Sequence, residues 1–273
     1  MTSILVTGGT GTLGRPVVEH LLRAGHDVRV ASRRPRPTEP VPYAWSTVDF
    51  DGGESLDAAV AGADAIVHCA RSFVSAPRVS WNQPPRGLRP RMDHLLIEAA
   101  RRAGTAHLVY ISIVGIDDIP FSYYRAKRDG ERALVASGVP WTILRTTQFH
   151  DLVLTGLSAL ARLPVMPVPA GVRFQPIDVR EVAGRLAGLA AGPPAGRVPD
   201  MGGPQVRTAQ DLAGAYLRAG GLRRRVVPVR APGATFAGFA RGDHLAPDRA
   251  VGTVGFDEFL AQHVSGATGR RVS

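Results

Sequence analysis

Apolar and polar positions along this chain follow two rhythms that replace one another repeatedly. Residues 4–7 form a short β-favouring run, and just after it Leu13, Val17, Val18, Leu21 and Leu22 recur at helical spacing. The exchange continues downstream. Residues 27–32, 45–48 and 65–70 read as strands, and 56–60 and 92–103 as helices, the second striped with Leu95, Leu96 and Ala99. The run 65–70 is dense enough in apolar side chains for a parallel strand buried on both faces. Residues 107–113 form a fifth strand, 120–137 a helix and 139–144 a sixth strand. Strands alternating with helices in this way predict an α/β fold built on a doubly wound parallel sheet.

The last third is organised differently. An apolar helix over 152–163 is stopped by the prolines of 164–169. Asp178, with Glu181 three residues on, resembles a capping box at the head of a helix reaching 190, so Asp178 reads most simply as structural. A short strand lies within 192–203, a helix over 208–219, a strand over 226–229, and a helix over 256–263 with Phe256, Phe259 and Leu260 on one face. Residues 266–273 carry no apolar periodicity and read as a frayed end. No internal repeat is visible. Residues 71–90, with Pro77, Pro84, Pro85, Pro90, Trp81 and Asn82, read as a long flap near the site.

Composition narrows the classes. The 273 residues are 44% hydrophobic and 21% charged, as in ordinary globular proteins, and are enough for one large domain with a small appendage. A single cysteine, Cys69, excludes an internal disulfide, and no Cys/His cluster has metal-ligand spacing. Residue 1 leads directly into the first strand and no apolar run reaches the ~18 residues of a membrane span, so a cytoplasmic protein is expected. The net charge of +10 invites a nucleic-acid reading. However, the arginines are scattered, with clusters only at 33–36, 86–91 and 223–225, and no nucleic-acid-binding motif accompanies them. An arginine-rich surface with no nucleic-acid partner is the expectation. Of the 33 basic residues only Lys127 is lysine.

The candidate chemistry begins where the first strand meets the first helix. Gly8, Gly9, Gly11 and Gly14, with Thr10, Thr12 and Leu13 between them, form a turn in which Gly8, Gly11 and Gly14 let the backbone bend sharply and approach a pyrophosphate. The helix N-terminus then directs its N–H groups at the phosphates. Dinucleotide binding is the expected use of such a turn. After the second strand stand Ser32, Arg33 and Arg34. An acidic residue there would hold the ribose 2′-OH of NAD, whereas guanidiniums suit the 2′-phosphate, so NADP(H) is the expected cofactor, against the alternative of a solvated basic loop. Asp49, followed by Phe50, would meet the adenine edge or serve as a turn residue. Ala70 and Arg71, at the end of the fourth strand, should lie along the cofactor, whereas His68 and Cys69 within that strand read as core.

Tyr123 and Lys127 are four apart on one helix and share a face. A phenol needs a neighbouring ammonium to act as an acid or base near neutral pH, and the same ammonium can hold a ribose. A chain that otherwise uses arginine would use it at 127 too if only charge mattered. Lysine's compact, three-donor head therefore marks Lys127 as a site residue, with Tyr123 as proton donor.

Taken together, the segment 7–14, Tyr110 to Gly115, the Tyr-Tyr-Arg-Ala-Lys run, 142–149 and 177–183 resemble the NmrA-like atypical branch of the short-chain dehydrogenase/reductase superfamily over nearly the whole chain. The resemblance implies a Rossmann core over 1–150 and a smaller substrate-binding part over 151–273, with segments returning to the core. It implies reduction of an apolar carbonyl, quinone or conjugated alkene with NADPH, or alternatively dinucleotide sensing without turnover. A nucleotide-sugar epimerase is a further possibility that the short C-terminal part disfavours. Extended members place a hydroxyl residue two positions after Ser112 to bind the substrate oxygen. Here that position is Val114, so Ser112 is expected to substitute. The resemblance also places the Thr147 backbone at the nicotinamide amide and Gln148, Phe149 and His150 on the pocket wall, His150 being either an acid/base or a capping residue. The apolar helix that follows suggests a hydrophobic substrate. A monomer or homodimer with a small-molecule partner is expected.

Overall fold

The computed structural model describes residues 2–49, 54–70 and 90–264. The expected flap and the frayed tail therefore lie outside the described residues. In chain order the elements are β1 (Ser3–Thr7), α1 (Gly14–Arg23), β2 (Asp27–Ser32), β3 (Ala44–Thr47), α2 (Glu54–Val60), β4 (Ala65–His68), α3 (Pro90–Arg102), β5 (His107–Ile113), α4 (Ser122–Ala136), β6 (Trp141–Thr146) and α5 (His150–Leu160). They continue as β7 (Val165–Pro169), β8 (Arg173–Phe174), α6 (Val179–Ala191), β9 (Gly196–Arg197), β10 (Arg207–Thr208), α7 (Ala209–Ala219), β11 (Arg225–Val229), α8 (Ala234–Arg241) and α9 (Phe256–His263).

Two compact units emerge. The first comprises residues 1–112, 121–145 and 180–199. Its sheet has seven strands in the order β3-β2-β1-β4-β5-β6-β9, the doubly wound order with its reversal between β1 and β4. The pairs β1–β2, β1–β4, β2–β3, β4–β5 and β6–β9 run parallel. Period-2 alternation in the strands sorts side chains to two faces. Leu5 and Ala31 join Leu56 of α2, Leu96 of α3 and Leu134 of α4 in one core, while Val30 points the other way, against the glycine turn and Val18 of α1. A buried bidentate pair ties α4 to β6. Arg145 Nε and Nη2 donate to Glu131 Oε1 and Oε2 at 2.8 and 2.5 Å.

The second unit comprises 113–120, 146–179 and 200–273. Leu154 and Leu157 of α5, Met166 and Val168 of β7, Leu212 and Tyr216 of α7 and Phe256, Phe259 and Leu260 of α9 form its core. Gln175 is its polar hub: its amide nitrogen donates to the carbonyls of Gly203 and Ala246 at 2.9 and 3.1 Å, and its oxygen accepts from Ala246 N at 2.8 Å. Of the prolines in 164–169, expected only to end a helix, Pro167 and Pro169 belong to β7, which pairs parallel with β11. Met166 and Val168 are buried while Val165 is exposed, so the strand's period of two survives its prolines. A two-stranded ribbon has open edges on which the missing proline N–H groups cost little. Helix α8 carried no element in the sequence reading, and α5 begins at His150 rather than 152.

His244 is fully buried in this unit, donates from Nε2 to the Arg173 carbonyl at 2.8 Å and meets Phe239 edge-on at 4.8 Å between ring centres. Burial lowers its pKa from 6.5 to about 4. The unfolded chain therefore takes up a proton first on acidification. The stability held by neutral His244 is complete above about pH 6.5 and is lost as the pH falls towards 4. Urea unfolding should show wild type losing about 2–3 kcal/mol more than His244→Gln between about pH 7.5 and 4.5. Parallel pH dependences for the two proteins would contradict this assignment.

Candidate active site

The glycine turn after β1 is shaped by close backbone approach. Gly8 has φ +70°, and a Cβ there would stand 2.7 Å from the Ala70 Cα, so glycine is required both for conformation and for space. A Cβ on Gly14 would overlap the Gly8 carbonyl. Gly11 N donates to Gly8 O at 2.8 Å, closing the turn through Thr10, and α1 then starts after Leu13 with no side-chain cap and no acidic residue in its first turn. An uncapped helix start beside a turn held open by glycines fits a phosphate-bearing ligand.

At the end of β2, Ser32 is buried and its hydroxyl accepts from Arg34 N at 3.1 Å. The side chains of Arg33 and Arg34 are exposed and take no partner among the described residues. Asp49 is exposed as well, and its backbone N–H donates to Ser55 Oγ at 2.7 Å, a turn contact. Ala70 sits against the glycine turn, whereas Phe50 and Arg71 lie outside the described residues.

Strand register assembles a feature that the sequence reading missed. Thr7 of β1 is paired with His68 of β4, and His68 with Tyr110 of β5, so the three side chains form a row on the face covered by α3 and α4. All three are buried. Asp93 of α3 joins them: Tyr110 Oη donates to its Oδ2 in a short hydrogen bond, and His68 Nε2 lies 3.0 Å from its Oδ1. With Asp93 ionised, Nε2 is the donor, and Nδ1 then accepts from the Thr7 hydroxyl at 2.6 Å. Lys127 of α4 closes the chain. Its Nζ donates to Tyr110 Oη at 3.3 Å and to the Ile111 carbonyl at 3.1 Å, and lies 4.3 Å from the centre of the Tyr110 ring.

The electrostatics follow from that geometry. Burial alone would raise the Asp93 carboxyl, but the His68 hydrogen bond and the Lys127 charge outweigh it and hold the group well below the usual carboxylate range. Burial, and then the Asp93 charge, push Tyr110 well above 10, so it stays a neutral phenol. Burial pushes the Cys69 thiol up to about 12 against the pull of Lys127, which leaves it protonated and inert.

The phenol that Lys127 engages is thus Tyr110 rather than Tyr123. Tyr123 is half-buried one turn earlier on α4, its ring tilted against Tyr124. Ser112, 1% exposed at the end of β5, follows Ile111 directly, and its hydroxyl has no partner among the described residues. The ammonium spends two of its three N–H donors on Tyr110 and Ile111. A buried hydroxyl and a third N–H without assigned acceptors fit an oxygen-rich ligand such as a ribose.

In the second unit, Val114 is buried and its N–H donates to the Thr146 carbonyl at 3.0 Å. Thr147 is tied inward, donating from Oγ1 to the Gln175 carbonyl at 2.5 Å, and its N–H donates to the Met201 carbonyl at 3.0 Å. Gln148 differs. Both atoms of its side-chain amide are shielded from solvent without a partner among the described residues. Phe149 is half-buried at the head of α5. His150 is fully buried, donates from Nε2 to the Val254 carbonyl at 2.9 Å and stacks on Phe259 at 5.0 Å. Among the described residues no cluster could hold a metal ion, and no helix is long and apolar enough to cross a membrane.

Sequence-visible signals for the missed residues exist in part. His68 interrupts an apolar strand, and Asp93 falls on the stripe of α3 that also carries Leu96 and Ile97. Both positions are apolar by period and polar by residue.

Comparison with known proteins adds a family. A family model described as NAD(P)H-binding matches residues 8–162. The chain is 30% identical over 214 residues to the (4-alkanoyl-5-oxo-2,5-dihydrofuran-3-yl)methyl phosphate reductase of Streptomyces griseus, covering 76% of this chain and 70% of that protein. It is 37% identical over 168 residues to the divinyl chlorophyllide a 8-vinyl-reductase of Oryza sativa subsp. indica, covering 54% of this chain and 40% of that longer protein. The crystal structure of the NADPH-dependent quinone oxidoreductase QOR2 of Escherichia coli with NADPH superposes with a TM-score of 0.74 at 18% identity, over 94% of this chain and 98% of that one. At this identity the likeness shows the fold alone.

The crowding around the network sets a sign for one substitution. A Cβ on Gly130 of α4 would stand 2.5 Å from Tyr110 Oη and 2.6 Å from Asp93 Oδ2. Within a helix Ala is favoured over Gly by about 1 kcal/mol. Gly130→Ala should nevertheless lower the thermal unfolding midpoint, because the phenol is held in the sheet and cannot swing away. A raised midpoint would show that the network has slack.

Proposed function

The chain belongs to the NAD(P)H-binding family, in the NmrA-like atypical branch of the short-chain dehydrogenases/reductases, as an NAD(P)H-dependent oxidoreductase; from that premise we propose that it uses NADPH to reduce an apolar carbonyl, quinone or conjugated alkene. The observation that carries the proposal is the lone lysine of α4, buried against Tyr110 and Ile111 of β5 with an N–H to spare, together with the partnerless hydroxyl of Ser112 on that strand. When bound, the cofactor supplies a hydride. The residues of the chain do the rest.

The glycine turn at Gly8, Gly11 and Gly14 receives the pyrophosphate, and Thr10, Thr12 and Leu13 lie along it. Arg33 and Arg34 take the 2′-phosphate, a role that exposed, unpaired guanidiniums at the end of β2 can fill without breaking any contact. Lys127 holds the nicotinamide ribose through its third N–H. Ser112 donates to the substrate oxygen, and Tyr123, on the same helix as Lys127, delivers the proton that the reduced substrate needs. The shielded amide of Gln148 offers an N–H donor suited to a substrate carbonyl. Two of the similar proteins are named for a 5-oxo-2,5-dihydrofuran and a vinyl group, which supports an unsaturated acceptor here.

A fluorescence titration with NADPH and NADH tests the cofactor assignment. NADPH should bind at least about 10-fold more tightly, about 1.4 kcal/mol, and Arg33→Ala with Arg34→Ala should remove that preference while leaving NADH unchanged. Equal affinities in the unaltered protein would return both arginines to the solvated surface. For the chemistry, NADPH oxidation against a panel of quinones and enones should fall by about 100-fold or more in Lys127→Ala and in Tyr123→Phe, with NADPH binding and melting retained in Tyr123→Phe. Wild-type rates in both variants would overturn the mechanism.

A further inference from the structure

None of Thr7, His68, Asp93 and Tyr110 has a part in the cofactor and substrate contacts proposed above, and yet their buried row ends on the one lysine. We propose that Asp93, oriented by His68 and linked to Lys127 through the Tyr110 hydroxyl, is a positioning residue that holds the ammonium in one place as its counter-charge. The inference rests on Lys127 being the working group of the site.

Several observations converge on this role. The hydrogen-bond directions are consistent from end to end: Lys127 donates to Tyr110, Tyr110 donates to Asp93, and His68 donates to Asp93 from the other side. The Thr7 hydroxyl then fixes the His68 ring, and Thr7 is the residue immediately before the glycine turn. Every member is buried, so each partner would be costly to lose. Gly130 leaves the space that the Tyr110 and Asp93 oxygens occupy. The other charged or titratable groups nearby are accounted for. Glu131 is neutralised by Arg145, and Cys69 is a protonated thiol; Tyr123 also bears electrostatically on Tyr110. Asp93 is therefore the carboxylate that hydrogen bonds connect to the ammonium. A lysine anchored at two donors presents its third in a fixed direction, and misplacement of a catalytic group by ~1 Å can cost about 100-fold in rate.

The single lysine makes the test direct. Full-length protein labelled with ζ-15N-lysine has one side-chain ammonium signal, whose protons report by solvent exchange whether Nζ is held. The unaltered protein should show a protected ammonium. Tyr110→Phe keeps the ring and removes the bridge, and Asp93→Asn keeps the shape and removes the charge. Each should speed exchange by at least about 10-fold. Each should also lower kcat by about 100-fold, with NADPH affinity within about threefold of wild type. His68→Gln, whose amide can still donate to Asp93, should retain much of the protection that His68→Leu loses. Folded variants with unchanged exchange would overturn the inference, whatever their kcat. Faster exchange with unchanged kcat would uphold the positioning and instead remove Lys127 from catalysis. Should Asp93→Asn not fold, Tyr110→Phe decides, and fast exchange in the unaltered protein would by itself refute the inference.

Discussion

Taking an ammonium out of water costs several kcal/mol unless a counter-charge and further hydrogen bonds come with it. Lys127 is 4% exposed, and much of the first unit's interior near it answers that demand. The carbonyl of Ile111, the face and hydroxyl of Tyr110, and Asp93 behind that hydroxyl together replace the lost water. His68 and Thr7 carry the accommodation two strands further, to the residue that precedes the glycine turn. The carboxyl ends of β1 and β4 and the middle of β5 are thereby tied to one another by side chains as well as by the backbone ladder. The carboxyl ends form the edge at which doubly wound sheets bind their ligands.

The sheet was legible because burial on both faces leaves a strong mark. Runs such as 4–7, 65–70 and 107–113 sit between helical stripes, and their order follows from crossover rules that admit few alternatives. The glycine turn was legible for a related reason, since Gly8 and Gly14 stand where backbone meets backbone and no other residue fits. The polar row was not. Thr7, His68, Asp93 and Tyr110 are far apart in sequence, and only the register of three strands and the rotation of α3 bring them together. His68 read as a core residue, and it is one; what sequence could not supply was the identity of its neighbours. Similarly, a spacing of four placed Tyr123 and Lys127 on one helical face, while the ammonium, with four flexible methylenes, found a phenol on the adjacent strand.

The second unit was harder to read because its strands are short and its prolines mislead. β7 contains Pro167 and Pro169 and pairs with a strand containing Pro228, so the usual veto on proline in strands hid an element that alternates correctly. Its polar interior is organised by Gln175 and His244, each satisfied chiefly by backbone carbonyls and amides, a kind of partner that leaves no residue pattern. His150 belongs with them. Its aromatic neighbours Phe256 and Phe259 come from α9, a hundred residues away, so its role as a packed ring could not be told from that of a pocket wall.

The scarcity of lysine has a consequence beyond the site. With the only lysine buried, positive charge outside the site rests on arginine, whose guanidinium keeps its proton at any pH the fold would survive. Acetylation and other amine-directed modification therefore find no exposed side-chain target, and glycation, carbamylation or amine-coupled immobilisation would have to begin at the chain's terminal amino group. The side-chain charge of the surface is therefore insensitive to the acyl donors that retune lysine-rich surfaces.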